Sequence, residues 1–103
     1  MLIRVAHPSK PAFQLRKGEV GISIFDTDAV DPPLTEAEIL ASFRPGSDAI
    51  ALTVEAVENK GLKVVPIHGA PVLPDRLQEA HVEIQPGPGM SRSEFKQRLT
   101  ELG

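Results

Sequence analysis

Val20-Gly21-Ile22-Ser23-Ile24-Phe25 is the clearest β-strand of this sequence, and the rest of the fold is predicted around it. Side chains alternate between the two faces of a strand, so the β-branched residues of this segment share one face. Gly21, Ser23 and Phe25 share the other face. That face places a hydroxyl beside an aromatic ring within an apolar strand, and such a polar group requires a structural or a functional reason.

Short elements are predicted on both sides of this strand. Ten prolines and eight glycines interrupt the chain, which excludes long uninterrupted helices and strands. The segment 49–54 fits a strand or a helix, and we interpret it as a strand. Apolar runs predict further strands at 2–6, 49–54, 62–67 and 80–84, a possible short strand at 13–16, a helical turn at 55–60 and a loop at 69–77.

Two capped helices complete the predicted fold. In Thr35-Glu36-Ala37-Glu38, the Thr35 hydroxyl can accept a hydrogen bond from the backbone N–H of Glu38, which is the capping-box arrangement. Ser91-Arg92-Ser93-Glu94 repeats this pattern before a C-terminal helix. We therefore expect one α+β domain over residues 1–103, with about five short strands in a mixed or split sheet and two capped helices.

Composition and charge limit the classes of function. The absence of cysteine excludes disulfides and thiolate zinc ligands, and it is compatible with the cytoplasmic location that we expect. Residues 1–18 have a net charge of +4, whereas residues 19–58 contain nine acidic residues and only one basic residue. The acidic middle argues against a nucleic-acid partner, and no apolar run is long enough to span a membrane. The basic N-terminal segment suits an anion such as a dinucleotide pyrophosphate, or it is a solvated surface.

Polar residues on predicted strands are the candidates for chemistry. Arg4 lies within the apolar first strand, and His81 and Glu83 share one face of a late strand. If these residues and Ser23 line one cleft, it contains a cation, an imidazole, a carboxylate and a hydroxyl. Each residue also has a simpler structural interpretation. Arg4 and Glu83 then point to solvent, Ser23 fills a small space, and Phe25 belongs to the core.

The order of these residues along the chain resembles that of bacterial ADP-ribosyltransferase-like toxins. The segment Gly21–Asp26 resembles a Gly-x-Ser-Val-Phe-Asp segment in a type VI secretion effector of this class. The late positions of the same effector resemble, in similar order, Pro74-Asp75-Arg76-Leu77, Ala80-His81, Ile84, Pro86 and Met90 of this chain.

The resemblance implies a small bacterial toxin domain that takes NAD as substrate, transfers ADP-ribose and has a neutralising antitoxin or immunity protein as partner. Arg4, Ser23 and Phe25 then contact the dinucleotide, with Arg4 on its phosphates and Phe25 against nicotinamide. Glu83 stabilises the positive charge that develops on the ribose as nicotinamide leaves. Arg4 and His81 complete the implied catalytic set, with His81 holding the substrate or a ribose hydroxyl. This chain has His81 where those toxins have Gln or Glu.

Other interpretations stay open. The acidic stretch 19–58 suits a non-catalytic interaction module, such as an immunity, adaptor or regulatory protein, that docks on a basic partner. His81 and Glu83 could bind a metal with His7 or His68, but no third ligand stands at a recognisable spacing, so we expect no metal. Ser23 as a hydrolytic nucleophile is disfavoured, because its segment lacks the second glycine of a nucleophile elbow and lies in mid-strand.

Overall fold

The computed structural model describes residues 1–67 and 72–102 of the chain. The strands in these residues are β1 (Leu2–Ala6), β2 (Ile22–Asp26), β3 (Asp48–Leu52), β4 (Lys63–Pro66) and β5 (His81–Gln85). The helices are α1 (Glu36–Leu40), α2 (Val54–Glu58), α3 (Asp75–Ala80) and α4 (Arg92–Thr100), and a 3-10 turn covers Thr27–Ala29. None of these helices has the length and apolar character needed to cross a membrane.

The strands form a single open sheet in the order β3-β1-β2-β5-β4. Every neighbouring pair is antiparallel. The predicted α+β class is confirmed, whereas the sheet is one antiparallel sheet rather than a mixed or split one, and the described ranges contain four α-helices rather than two. Pairing between β1 and β2 is limited to Leu2 with Asp26 and Ile3 with Phe25, so these neighbouring strands diverge beyond that point.

Each face of the sheet carries a buried apolar core, because apolar side chains alternate onto helices that pack on either side. We call the two faces the α4 face and the α1 face, after the helices that cover them. On the α4 face the buried residues are Leu2, Phe13, Leu15, Ile22, Ile24, Val57, Leu62, Val82, Ile84, Phe95 and Leu99. On the α1 face they are Ile3, Phe25, Val30, Leu34, Ile39, Leu77 and Ala80. Strand β2 therefore contributes Ile22 and Ile24 to the core on the α4 face and Phe25 to the core on the α1 face, as the alternation of its residues predicts.

Hydroxyl side chains fix the starts of three helices. The predicted caps are confirmed: Thr35 Oγ1 accepts from the Glu38 N–H and Ser91 Oγ from the Glu94 N–H, each at 3.1 Å. Thr53 Oγ1 provides a further cap by accepting from the Ala56 N–H at 3.0 Å. This cap begins α2 directly after β3, so the strand followed by a short helical turn is also confirmed.

Some predictions of local structure are wrong. Residues 13–16 form a loop, although Phe13 and Leu15 are buried on the α4 face, so their alternation reflects burial without strand pairing. Val20 precedes β2 and is 72% exposed. The predicted loop at 69–77 includes the first turn of α3, because Pro74 stands just before the helix, where the missing N–H of proline is tolerated. Residues 69–71 of that loop lie outside the described ranges.

Candidate functional site

A cavity of about 310 Å³ opens beside β1, β2 and β5. We call it the Ser23 cavity. Its lining residues are Arg4, Val5, Ser23, Phe25, Phe43, Val72, Leu73 and His81. Of the residues expected at the site, Arg4, Ser23, Phe25 and His81 are thus brought together, and Glu83 is not part of the lining.

Ser23 and His81 are hydrogen-bonded across neighbouring strands. In the register of β2 and β5, Phe25 pairs with His81 and Ser23 with Glu83, so Ser23 and His81 are diagonal neighbours on one face. His81 Nε2 lies 2.9 Å from Ser23 Oγ, and His81 Nδ1 lies 2.8 Å from the carbonyl oxygen of Ile67. A carbonyl oxygen only accepts, so Nδ1 carries the proton of the neutral imidazole. Nε2 therefore accepts the hydrogen bond that the Ser23 hydroxyl donates.

Arg4 is held in the gap where β1 and β2 diverge. Its Nε donates to the carbonyl oxygen of Ala12 and its Nη1 to that of Ser23, each at 2.8 Å. Burial lowers the pKa of the Arg4 guanidinium; the negative charge of Glu19 acts to raise that pKa, and the positive charge of Arg16 acts to lower it. A guanidinium nevertheless stays charged at ordinary pH. Arg4 therefore does not simply point to solvent. It connects two chain segments and adds positive charge to the Ser23 cavity.

Aromatic rings form one wall of the Ser23 cavity. The ring of Phe25 lies edge-on to that of Phe43, with centroids 5.9 Å apart, and 5.7 Å from the imidazole of His81. Phe25 is only 3% exposed, so it is a core residue as well as a wall of the cavity. Phe43 follows α1, and nothing in the sequence indicates that its ring contacts Phe25 of β2.

Glu83 lies beside the Ser23 cavity, on the same face of β5 as His81. Its Oε1 accepts a hydrogen bond from Gln85 Nε2 at 3.1 Å. A Cβ atom at Gly21 would stand 2.8 Å from the same oxygen, so the carboxylate lies over Gly21, where only glycine leaves room for it. The carboxylate is therefore directed along the strands toward Gln85.

A second cavity of about 300 Å³ adjoins the first. We call it the basic cavity. Its lining residues are Val5, Ala6, His7, Ser9, Lys10, Arg16, Phe43, Arg44 and Ser47. It shares the walls Val5 and Phe43 with the Ser23 cavity. The positive charge of residues 1–18 is the sequence signal for this cavity. Arg44 gives no such signal, because it is the one basic residue of the acidic stretch 19–58.

The acidic stretch 19–58 is divided between the two faces of the sheet. Glu36 and Glu38 lie in α1, whose Ile39 is buried on the α1 face. Glu55 and Glu58 lie in α2, which packs on the α4 face. The function of an interaction module that docks through this stretch stays a prediction. The acidic residues of the stretch do not all lie on one face of the sheet.

The structure also bears on the metal interpretation. His7 lines the basic cavity, where its Nδ1 lies 2.6 Å from Ser9 Oγ, whereas His81 lines the Ser23 cavity. Within residues 1–67 and 72–102, no group of three or more histidine, aspartate or glutamate residues is placed to hold a metal ion. His68, the other histidine considered as a ligand, lies outside the described residues.

Fold and site together define a small α+β domain with one antiparallel sheet, an oriented serine–histidine pair in a cavity and a basic cavity beside it. In comparisons with known proteins, no protein-family model, no curated protein and no solved structure matches the chain. The likeness to ADP-ribosyltransferase-like toxins is therefore a resemblance of short motifs.

Proposed function

We propose that this domain binds NAD across the Ser23 cavity and the basic cavity and transfers ADP-ribose, as a small bacterial toxin domain that acts in the cytoplasm. One observation carries the proposal: Arg4, Ser23, Phe25 and His81, from three different strands, line the same cavity. The basic cavity supports it, because a dinucleotide needs an aromatic or apolar place for its rings and cationic groups for its phosphates.

In this proposal, the nicotinamide end of NAD binds in the Ser23 cavity and the pyrophosphate binds in the basic cavity. The nicotinamide ring packs against Phe25 and Phe43, and its carboxamide bonds to the Ser23 hydroxyl. The pyrophosphate extends past the shared wall toward Lys10 and Arg44, which line the basic cavity. Arginine suits phosphate because its planar guanidinium can bind two oxygens at once.

Glu83 supplies the catalytic carboxylate in this proposal. Positive charge develops on the ribose as nicotinamide leaves, and a fixed negative charge nearby lowers the energy of that state. Strand register brings Glu83 opposite Ser23, which favours this role. The carboxylate is hydrogen-bonded to Gln85, so the proposal requires its side chain to turn toward Ser23 when NAD is bound. His81 holds a ribose hydroxyl.

Calorimetric titration with NAD tests the binding step. We expect Arg44→Ala to weaken binding about tenfold, because it removes a charged hydrogen-bond donor to phosphate. Lys96→Ala is the matched control, since Lys96 is exposed on α4 and lines neither cavity. Failure of the wild-type protein to bind NAD, or equal weakening by both variants, would refute the proposed binding mode.

Cleavage of a fluorescent NAD analogue tests the chemical step separately. We expect Glu83→Gln to bind NAD like the wild type but to release nicotinamide at least about 100-fold more slowly, which is the usual scale for a lost charge-stabilising group. Glu79→Gln, on the exposed side of α3, is the control. Growth arrest on bacterial expression by the wild type, but not by Glu83→Gln, is expected for a toxin. An unchanged cleavage rate in Glu83→Gln removes the catalytic role of Glu83.

A further inference from the structure

We infer that Ser23 is a nucleophile activated by His81, and that the Ser23 cavity accepts an ester with an apolar acyl group. The Ser23 hydroxyl donates to His81 Nε2, while the carbonyl oxygen of Ile67 holds Nδ1. This is the arrangement that a general base needs, because the free nitrogen faces the hydroxyl whose proton it must take. The inference needs no NAD and goes beyond the proposed ADP-ribose transfer.

The surroundings of the pair distinguish a nucleophile from a structural hydrogen bond. His81 is 8% exposed, so its imidazole is held within the protein, whereas Ser23 is an exposed residue that lines the cavity. A substrate can therefore reach the hydroxyl without displacing the base. The chain also contains a second serine–histidine pair, His7 and Ser9. These residues are two positions apart in the sequence and contact each other on an exposed loop. There the backbone N–H of Ser9 also donates to His7 Nδ1, which leaves that nitrogen less able to act as a base.

The mid-strand position of Ser23 does not prevent this role. A nucleophile elbow exposes serine at a sharp turn, whereas here the divergence of β1 from β2 opens the sheet beside Ser23. The guanidinium of Arg4 fills part of the opening and donates to the backbone carbonyl of Ser23. An arginine carries five N–H groups, and the contacts of Arg4 within residues 1–67 and 72–102 use only those on Nε and Nη1. Arg4 lines the Ser23 cavity, so its charged guanidinium can stabilise an oxyanion that develops there.

The substrate class follows from the walls of the Ser23 cavity. Val5, Phe25, Phe43 and Leu73 present apolar surface next to the hydroxyl. In the reaction, Ser23 Oγ forms a bond to the ester carbonyl carbon as its proton passes to His81 Nε2. The bond to the alcohol oxygen then breaks, and that oxygen takes the proton from Nε2. Water then bonds to the acyl carbon as its proton passes to His81 Nε2. The bond from that carbon to Ser23 Oγ breaks, Oγ takes the proton back from Nε2, and the carboxylic acid leaves.

Labelling with an alkyl fluorophosphonate tests this inference on the purified protein without NAD. Attack by Ser23 Oγ on phosphorus expels fluoride and leaves a stable adduct, which intact-protein and peptide mass spectrometry detect. We expect one adduct, located on Ser23, and none on that residue in Ser23→Ala. His81→Gln keeps an amide near Ile67 but cannot take a proton, so labelling should slow at least about 100-fold. Ser93→Ala, exposed on α4, should label like the wild type.

Several outcomes would overturn the inference: no adduct, an adduct on Ser9 or another residue, or an unchanged labelling rate in His81→Gln. If His81→Gln does not fold by circular dichroism, the location of the adduct and the Ser23→Ala result still decide the question. Hydrolysis of p-nitrophenyl esters provides the second measurement. We expect a higher kcat/KM for a medium-length acyl chain than for acetyl, and equal values would contradict the assignment of the apolar walls.

Discussion

Gly87 illustrates how a single residue can be fixed by the space around it. It lies between β5 and α4, and its α-carbon stands against the carbonyl oxygen of Gly61, in the turn after α2. A side chain at position 87 would collide with that oxygen, which belongs to the backbone and cannot rotate away. The two connections therefore lie close together because Gly87 has no Cβ.

We expect Gly87→Ala to lower the free energy of unfolding by about 1–3 kcal/mol, the usual range for overpacking in a close contact. Urea denaturation gives the measurement. Gly89→Asn is the control in the same loop, because Gly89 has a φ of 73° with open space around it, and asparagine tolerates that left-handed conformation. Equal urea midpoints for Gly87→Ala and the wild type would show that the two turns are not in contact.

At the scale of single residues, the candidate site was only partly predictable from the sequence. Alternation along β2 and β5 indicates that Ser23 shares a face with Phe25, and His81 with Glu83. It does not indicate that β2 and β5 are neighbours, since they lie 58 residues apart at the Ser23–His81 contact. Nor does it give the direction of Glu83, which depends on the space above Gly21 and on a hydrogen bond from Gln85.

At the scale of elements, local signals are the most dependable part of the sequence. Helix caps involve residues three positions apart, so Thr35 and Ser91 mark the starts of α1 and α4 whatever the tertiary structure is. The alternation at 13–16 is less informative. It marks two buried side chains, but strand formation needs a partner with free backbone groups, and this segment has none in the sheet.

The cap of α4 is expected to matter for the whole α4 face. This helix carries Phe95 and Leu99, which are 2% and 0% exposed. We expect Ser91→Ala to destabilise the protein by about 1 kcal/mol, because the N–H of Glu94 loses its acceptor. Thermal denaturation gives the measurement. Ser93→Ala, inside the helix and exposed, should have little effect or stabilise slightly, so an equal loss in both variants would contradict the role of the cap.

At the scale of the whole molecule, the helices on the α1 face are joined by an ion pair. Arg76 of α3 donates to Glu38 of α1 through Nε at 2.7 Å and to the carbonyl oxygen of Pro32 through Nη2 at 2.6 Å. The hydrogen bond from Arg76 is the main cause that lowers the pKa of the Glu38 carboxyl below its ordinary value of 4.5. The same bond raises the pKa of Arg76. One contact therefore connects the two helices that cover this face.

The lowered pKa of Glu38 makes part of the stability depend on pH. A carboxyl that ionises more easily in the folded state stabilises it above its unfolded pKa, and this contribution disappears as the pH falls through the folded value. We expect Glu38→Gln to lower the urea midpoint modestly at neutral pH, since the side chains are 35% and 36% exposed. The difference from wild type should shrink as the pH falls below 4.5 and vanish once the pH is below the lowered pKa of folded Glu38. Glu58→Gln, exposed on the opposite face, should show no loss at either pH. A loss in Glu38→Gln that persists unchanged in acid would assign the effect to packing rather than to the ion pair.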